Sequence, residues 1–258
     1  MIAKIRKKLH NRACEIQSRM RCQNRVRFSN DKSIVTFSFD DFPASAYRTA
    51  GPILERYGFR GTYYTSMELA GVENEQGEHF SIQDLRSLSD AGHEIGCHTF
   101  NHRTSDEQSV DELDWSVSVN AEKIRHVVDN AKIDVFSCPK GVVRLMHQQS
   151  LAQRFRCIRT IRAGVNRGAF DLNHVRAVSL YEHHTDLAGI ETLMAQLENE
   201  PGWLVFYTHD VQEHPSRYGI TPGLFEQIVA LVARSNVAVA TTSQALDLIV
   251  GQESQRGF

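Results

Sequence analysis

Ser33-Ile34-Val35-Thr36-Phe37-Ser38-Phe39-Asp40-Asp41 is the stretch from which the architecture can be read. Its β-branched and aromatic residues over 33–39 predict a buried strand, and that strand runs directly into two adjacent carboxylates. The same rhythm repeats downstream. Residues 47–57 read as a helix closed by Gly58, and 61–64 as the next strand. Ser81 with Asp84 is a capping pair that opens a helix stopping at Gly92, ahead of a strand over Glu94–Cys97. Ser109 with Glu112 opens a longer helix reaching Asn130. Strands are expected at Val135–Ser137 and 157–161 with a short helix between them, then a helix over 186–200 and an apolar strand over Trp203–Thr208. A helix over 224–234, a strand over 237–240 and a closing helix complete the series.

Strands joined by crossover helices lie parallel, so the expected fold is a single α/β domain built as a closed or distorted (β/α) barrel, with a doubly wound open sheet as the alternative. The expected boundaries are a basic segment over 1–30, the domain over 31–250 and a polar tail over 251–258. With 258 residues, 41% of them apolar and 23% charged, the chain is neither disordered nor fibrous. Lys plus Arg total 29 against 31 Asp plus Glu, and the net charge of -2 gives no global attraction to nucleic acid. No nucleic-acid partner is expected. Five cysteines, an odd number, do not imply a disulfide framework, and reduced thiols in a cytoplasm are the simpler reading. The first 27 residues hold nine Lys or Arg and one acid, Glu15, without the apolar stretch of a signal peptide. A cytoplasmic protein is therefore expected. A solvated helix is the plainer reading of this segment, and peripheral contact with the inner membrane or a partner protein is the alternative. A homodimer is a further expectation.

In a parallel barrel, functional groups gather at the carboxyl ends of the strands. Those ends carry Asp40-Asp41, then His98 with His102, then Pro139-Lys140-Gly141, then His209-Asp210. One carboxylate and two imidazoles suit zinc with a coordination position left open, and Asp41, His98 and His102 form such a set. A second carboxylate fits a proton acceptor and a further histidine a proton donor, the roles of Asp40 and His209. Adjacent aspartates alone are often a turn, and a His-x-x-x-His pair recurs by chance. Four strand ends supplying the residue types of metal-assisted hydrolysis is the stronger signal. His183-His184 reads as surface, with a second metal site as the alternative. Cys138 reads as a small buried thiol, with a soft metal ligand as the alternative.

Thr36-Phe37-Ser38-Phe39-Asp40-Asp41 resembles the Thr-Phe-Asp-Asp-Gly motif of the polysaccharide deacetylases with the NodB homology domain, carbohydrate esterase family 4. The run from Gly92 to His102 is similar to that family's second motif nearly throughout, and Leu204-Val205-Phe206-Tyr207-Thr208-His209 to its last. Ile53-Leu54-Glu55-Arg56-Tyr57-Gly58 and Gly61-Thr62-Tyr63-Tyr64 resemble the helix and strand between the first two motifs. The resemblance spans 33–249. It implies a distorted (β/α) barrel of the NodB type and hydrolysis of N-acetyl groups on N-acetylated sugars. It also implies one divalent metal ion, zinc by expectation, on Asp41, His98 and His102. Asp40 is implied as the base, His209 as the general acid and the Lys140 backbone amide as the oxyanion donor. The implied partner is an N-acetylated oligo- or polysaccharide. Chain order and the missing export signal are most similar to exopolysaccharide-modifying members, among them the holdfast deacetylases of stalked bacteria.

Three departures stand out. Ser137-Cys138-Pro139-Lys140-Gly141 replaces Arg-Pro-Pro-Tyr-Gly, so the arginine that orients the base aspartate is absent. Phe42 replaces the glycine of the first motif, and there is no clear copy of the aspartate and tryptophan motif that flanks the acid histidine. Arg162, directly after the expected 157–161 strand, is the candidate to replace the missing arginine beside Asp40. The expected activity is metal-dependent removal of N-acetyl groups from N-acetylglucosamine-type residues of an exopolysaccharide or its precursor. The alternatives are a pseudoenzyme that binds sugar or metal, and a hydrolase of a non-sugar amide.

Overall fold

The computed structural model describes residues 23–256 apart from Val142. The expected peripheral arm therefore lies, up to residue 22, outside the described residues. In chain order the strands are β1 (Arg25–Arg27), β2 (Ile34–Asp40), β3 (Thr62–Thr65), β4 (Glu73–Asn74), β5 (Gly77–Glu78) and β6 (Glu94–Cys97). They continue with β7 (Val135–Ser137), β8 (Cys157–Arg159), β9 (Ala169–Asp171), β10 (Val178–Ser179), β11 (Trp203–Thr208) and β12 (Ala238–Val239). Seven of them form one curled parallel sheet in the order β10-β11-β2-β3-β6-β7-β8. β12 pairs in parallel with the start of β2, and β3 with its end. The distorted barrel is thus the observed fold, and its gap is bridged by an irregular segment. Val175 makes a parallel bridge with Arg159, and just downstream β10 pairs with β11, so one extended segment touches both edges.

The strict alternation of β2 splits the interior in two. Val35, Phe37 and Phe39 pack outward with Ile53, Leu54, Phe225 and Ile228 of the covering helices. Ile34 instead joins Tyr64, Val135, Cys157, Trp203, Val205 and Tyr207 in a second cluster. Trp203 is fully buried, and its indole N–H donates to Thr36 Oγ1 at 2.9 Å, which satisfies both polar groups inside the sheet.

Both expected capping boxes form, Ser81 with Asp84 ahead of the helix Ile82–Asp90 and Ser109 with Glu112 ahead of Val110–Val127. The helix expected over 47–57 is instead two, Ala44–Arg48 and Ala50–Arg56. Pro52 explains the break, because proline lacks an N–H to bond back into the preceding turn and is accommodated in the first turn of a new helix. The ordered fold also begins before residue 31. Arg25–Arg27 pairs antiparallel with β9, with Val26 and Phe28 buried. At the other end the closing helix, Thr242–Arg256, runs past the expected boundary at 250.

Replacing Trp203 by alanine removes a filled interior volume and orphans Thr36 Oγ1. We expect a loss of about 3–5 kcal/mol in chemical denaturation. Trp115→Ala, on a side chain 55% exposed, should change stability by less than about 0.5 kcal/mol in the same experiment.

Candidate active site

Parallel register delivers the site. Asp40 ends β2, Ser137 ends β7 and Arg159 ends β8, while His98 follows β6 and His209 follows β11. Asp40, Asp41, His98, His102, Lys140 and His209 all line one cleft of about 430 Å³, together with Tyr181, Tyr207 and Tyr218. The backbone there is held in sparsely populated conformations. Asp41, Phe42, Thr99, His102 and Lys140 all have φ between 49° and 65°, a region that costs energy for any residue with a Cβ. Phe42, in place of a glycine, is kept there by its ring, which is buried and stacks on Phe80 at 4.7 Å.

Asp41 is the centre of a three-donor cluster. Its Oδ1 lies 2.9 Å from His102 Nε2 and 3.3 Å from His98 Nε2, yet this buried oxygen accepts no hydrogen bond. Ligand atoms of the three residues all lie within 4.8 Å of one another, and among the described residues this is the only such group. Donor atoms that crowd together without bonding one another fit a shared cation between them, and one carboxylate with two imidazoles is a zinc-type donor set. His98 Nδ1 donates to the Ser137 carbonyl at 2.8 Å, which leaves Nε2 as the coordinating nitrogen. Burial opposes charge on Asp41, but the adjacent His102 and His98 hold its carboxyl well below the usual carboxylate range. Burial likewise opposes charge on His102, and Asp41 raises its pKa.

Asp40 is buried and ion-paired with Arg159, whose Nη2 also meets Ser137 Oγ. Ser137 Oγ lies 3.4 Å from the same Asp40 oxygen, Oδ1. Burial raises the Asp40 pKa, and the Arg159 guanidinium, with His98 and His209, more than reverses that shift. Arg159 itself lies between the rings of Tyr207 and Tyr64, 4.8 Å and 5.2 Å from their centroids.

The candidate Arg162 is a correction. Strand β8 stops at Arg159, two residues short of the expected end, because Thr160 turns to bond the Val175 carbonyl at 2.9 Å. Arg162 lines a different cleft, and Arg159 holds the position foreseen for it. The signal was in the sequence as an arginine at the end of the short apolar strand Cys157-Ile158-Arg159. Gln76 was also missed. It sits in the turn between β4 and β5, and its Nε2 donates to Asp41 Oδ2 at 3.0 Å. A polar turn residue in a two-residue hairpin offers no sequence signal for such a role.

His209 Nε2 lies 3.9 Å from Asp41 Oδ2, and its Nδ1 is buried without a partner. Asp210 does not orient it. That carboxylate accepts from Ser216 N at 2.7 Å and Gln212 Nε2 at 2.9 Å and folds its own loop. Cys138 is buried, its thiol pushed up to about 12 by burial, and it stands outside the three-donor cluster. His183 and His184 are exposed and 3.1 Å apart.

Residues 28–153 match the family model described as polysaccharide deacetylase. The match covers 126 of the 258 residues and identifies a polysaccharide deacetylase domain within the chain. No curated protein matches its sequence. Among solved structures, a family 4 carbohydrate esterase from Bacillus anthracis superposes with a TM-score of 0.59 at 12% identity, over 88% of this chain and 86% of that one. Another from Bacillus subtilis gives 0.57 at 11% identity, over 88% and 85%. A family 4 acetyl xylan esterase from Clostridium thermocellum, in complex with a cobalt ion, gives 0.56 at 18% identity, over 84% and 91%. At these identities the likeness is one of fold, and it extends beyond residue 153.

If this three-donor cluster holds a cation, His102→Ala and Asp41→Ala should abolish stoichiometric zinc binding in metal analysis. Gln76→Ala should weaken zinc affinity about 10–100-fold while keeping the site, as removal of a hydrogen bond behind a ligand does. Wild-type affinity in Gln76→Ala would mean that its contact does not hold the carboxylate.

Proposed function

We propose that this chain is a metal-dependent carbohydrate N-deacetylase that hydrolyses the acetamide of N-acetylglucosamine-type residues in an exopolysaccharide or its precursor, releasing acetate. One observation carries the reading. A carboxylate kept ionised by a buried guanidinium, Asp40, shares a cleft with a three-donor cluster and a histidine. The family match supports deacetylation, and one structural neighbour is described as a peptidoglycan deacetylase from Bacillus subtilis.

A divalent cation on Asp41, His98 and His102, zinc by preference, would supply Lewis acidity to the acetamide carbonyl and to a nearby water. Arg159 and Ser137 both engage Oδ1 of Asp40, so Oδ2 is the oxygen free to take the proton of the attacking water. As the water oxygen bonds the carbonyl carbon, charge grows on the carbonyl oxygen, and we assign the Lys140 N–H as its backbone donor. Lys140 lines the cleft with φ at 54°. His209 then protonates the departing nitrogen as the C–N bond breaks, giving acetate and a free amine. Tyr181 and Tyr218, with ring centroids 5.9 Å and 5.4 Å from that of His209, give the leaving sugar an aromatic wall.

The test is acetate release from N-acetylglucosamine oligomers by the zinc-loaded protein. No release from any N-acetylated glycan, with zinc bound, would leave a binding module in place of an enzyme. Asp40→Asn should retain zinc and lower turnover about 10²–10⁴-fold. Arg159→Met removes the group that lowers the Asp40 pKa, so the acidic limb of the rate profile should move to higher pH. An unmoved limb would detach Arg159 from the base. Because an ester leaving group needs less protonation than an amine, His209→Ala should lose much more activity on N-acetyl than on O-acetyl substrates.

A further inference from the structure

Beside the catalytic cleft is a second one of about 560 Å³, and its walls carry four arginines, Arg25, Arg162, Arg167 and Arg176. Asp171 is the one carboxylate on its walls among the described residues, and that group is already engaged as a turn cap. Its Oδ1 accepts from Asn24 N and Asn173 N, each at 2.9 Å. Among the described residues no carboxylate lies within ion-pair distance of Arg25, Arg162 or Arg176. Arg167 pairs through Nη1 with Glu200 at 2.6 Å, but its Nε and Nη2 are buried without hydrogen-bond partners. Guanidinium groups gathered around one cavity repel one another, and buried donors without acceptors carry a desolvation cost. An anion relieves both.

Two of these side chains are held by close backbone contact. A Cβ on Gly164 would lie 3.0 Å from Arg176 Nη1 and 3.2 Å from its Cδ, and one on Gly202 would lie 2.6 Å from Arg167 Cγ. The arginine stems thus lie against glycine backbone, which limits the rotamer freedom that anion binding would otherwise have to freeze. Planar guanidinium forks match phosphate oxygens with paired hydrogen bonds, and several of them converging suits an anion with several charged oxygens.

We propose that this cleft binds a diphosphate group, either as a free small molecule or as part of a lipid head group. None of its four arginines lines the catalytic cleft, so the site stands apart from the deacetylase reading. The two clefts nonetheless meet at one turn. Ile161 lines the catalytic cleft and Arg162 the arginine cleft, which brings a phosphate-bearing molecule to the rim of the site where the acetyl group is cleaved.

The test is calorimetric titration of the full chain with inorganic diphosphate at physiological ionic strength, with acetate as a control for charge alone. One diphosphate should bind per chain, at least tenfold tighter than acetate. Arg162→Gln with Arg176→Gln should weaken that binding at least tenfold at an unchanged melting temperature. Should the double variant unfold, Arg25→Gln, on an exposed strand position, replaces it with a loss of at least threefold. No binding by the wild type, or undiminished binding by a folded variant, would overturn the site. Co-sedimentation with phosphatidylcholine vesicles, with and without a polyprenyl diphosphate, separates the two sources. Retention that requires the polyprenyl diphosphate and is displaced by free diphosphate supports a lipid head group. Diphosphate binding without retention supports a soluble ligand.

Discussion

The ion pair between Arg159 and Asp40 is the constraint from which the rest of the site follows. Both groups are buried, Asp40 at the end of β2 and Arg159 at the end of β8, and neither survives there as a charge without the other. Taking two ions out of water is costly, so the pair is weak evidence of stability and strong evidence of a position that must be held. The guanidinium stays charged, and the carboxylate beside it stays ionised. Tyr64 and Tyr207 close the space around Arg159 with their ring faces, and this fixes the packing beneath them. Gly96 on β6 shows how tight that packing is, because a Cβ there would come within 2.5 Å of the Tyr64 ring.

The same economy explains where the backbone is strained. Five of the six non-glycine residues with positive φ among those described are Asp41, Phe42, Thr99, His102 and Lys140, all at the strand ends that form the site. Two of them belong to the three-donor cluster, and a third carries the backbone amide we propose for the oxyanion. A helical or extended continuation would carry Asp41 away from His98 and His102, so the left-handed turn is what lets adjacent aspartates do different work. Asp40 stays in the sheet and meets Arg159, while Asp41 swings to the imidazoles. Packing sustains the turn through the aromatic contacts of Phe42 with Phe80 and Tyr63.

Much of this was legible in sequence because it is local or periodic. The alternation over β2, the two capping boxes and the apolar β11 depend on neighbours within a few residues, and parallel pairing then places Asp40, His98 and His209 on one rim. What sequence could not settle depended on where the chain turns. Ending β8 at Arg159 instead of residue 161 is decided by a hydrogen bond from Thr160 to Val175, fifteen residues on. Gln76 reaches Asp41 only because a short hairpin folds over the cleft, and no period announces such a contact.

That turn also accounts for the missing arginine of the third motif. Ser137 and Arg159 are register partners on the adjacent strands β7 and β8. The small side chain sits where the family motif has arginine, and the guanidinium arrives at the same level of the barrel from one strand over, bonding Ser137 Oγ on its way to Asp40. Gly141, with φ at 67°, lies against Ile161, and a Cβ there would come within 2.3 Å of the isoleucine side chain. Directing Arg159 inward therefore fixes Ile161 on the catalytic side and leaves Arg162 to face the neighbouring cleft. The position of one guanidinium thus sets both the ionisation of Asp40 and the boundary between the two clefts.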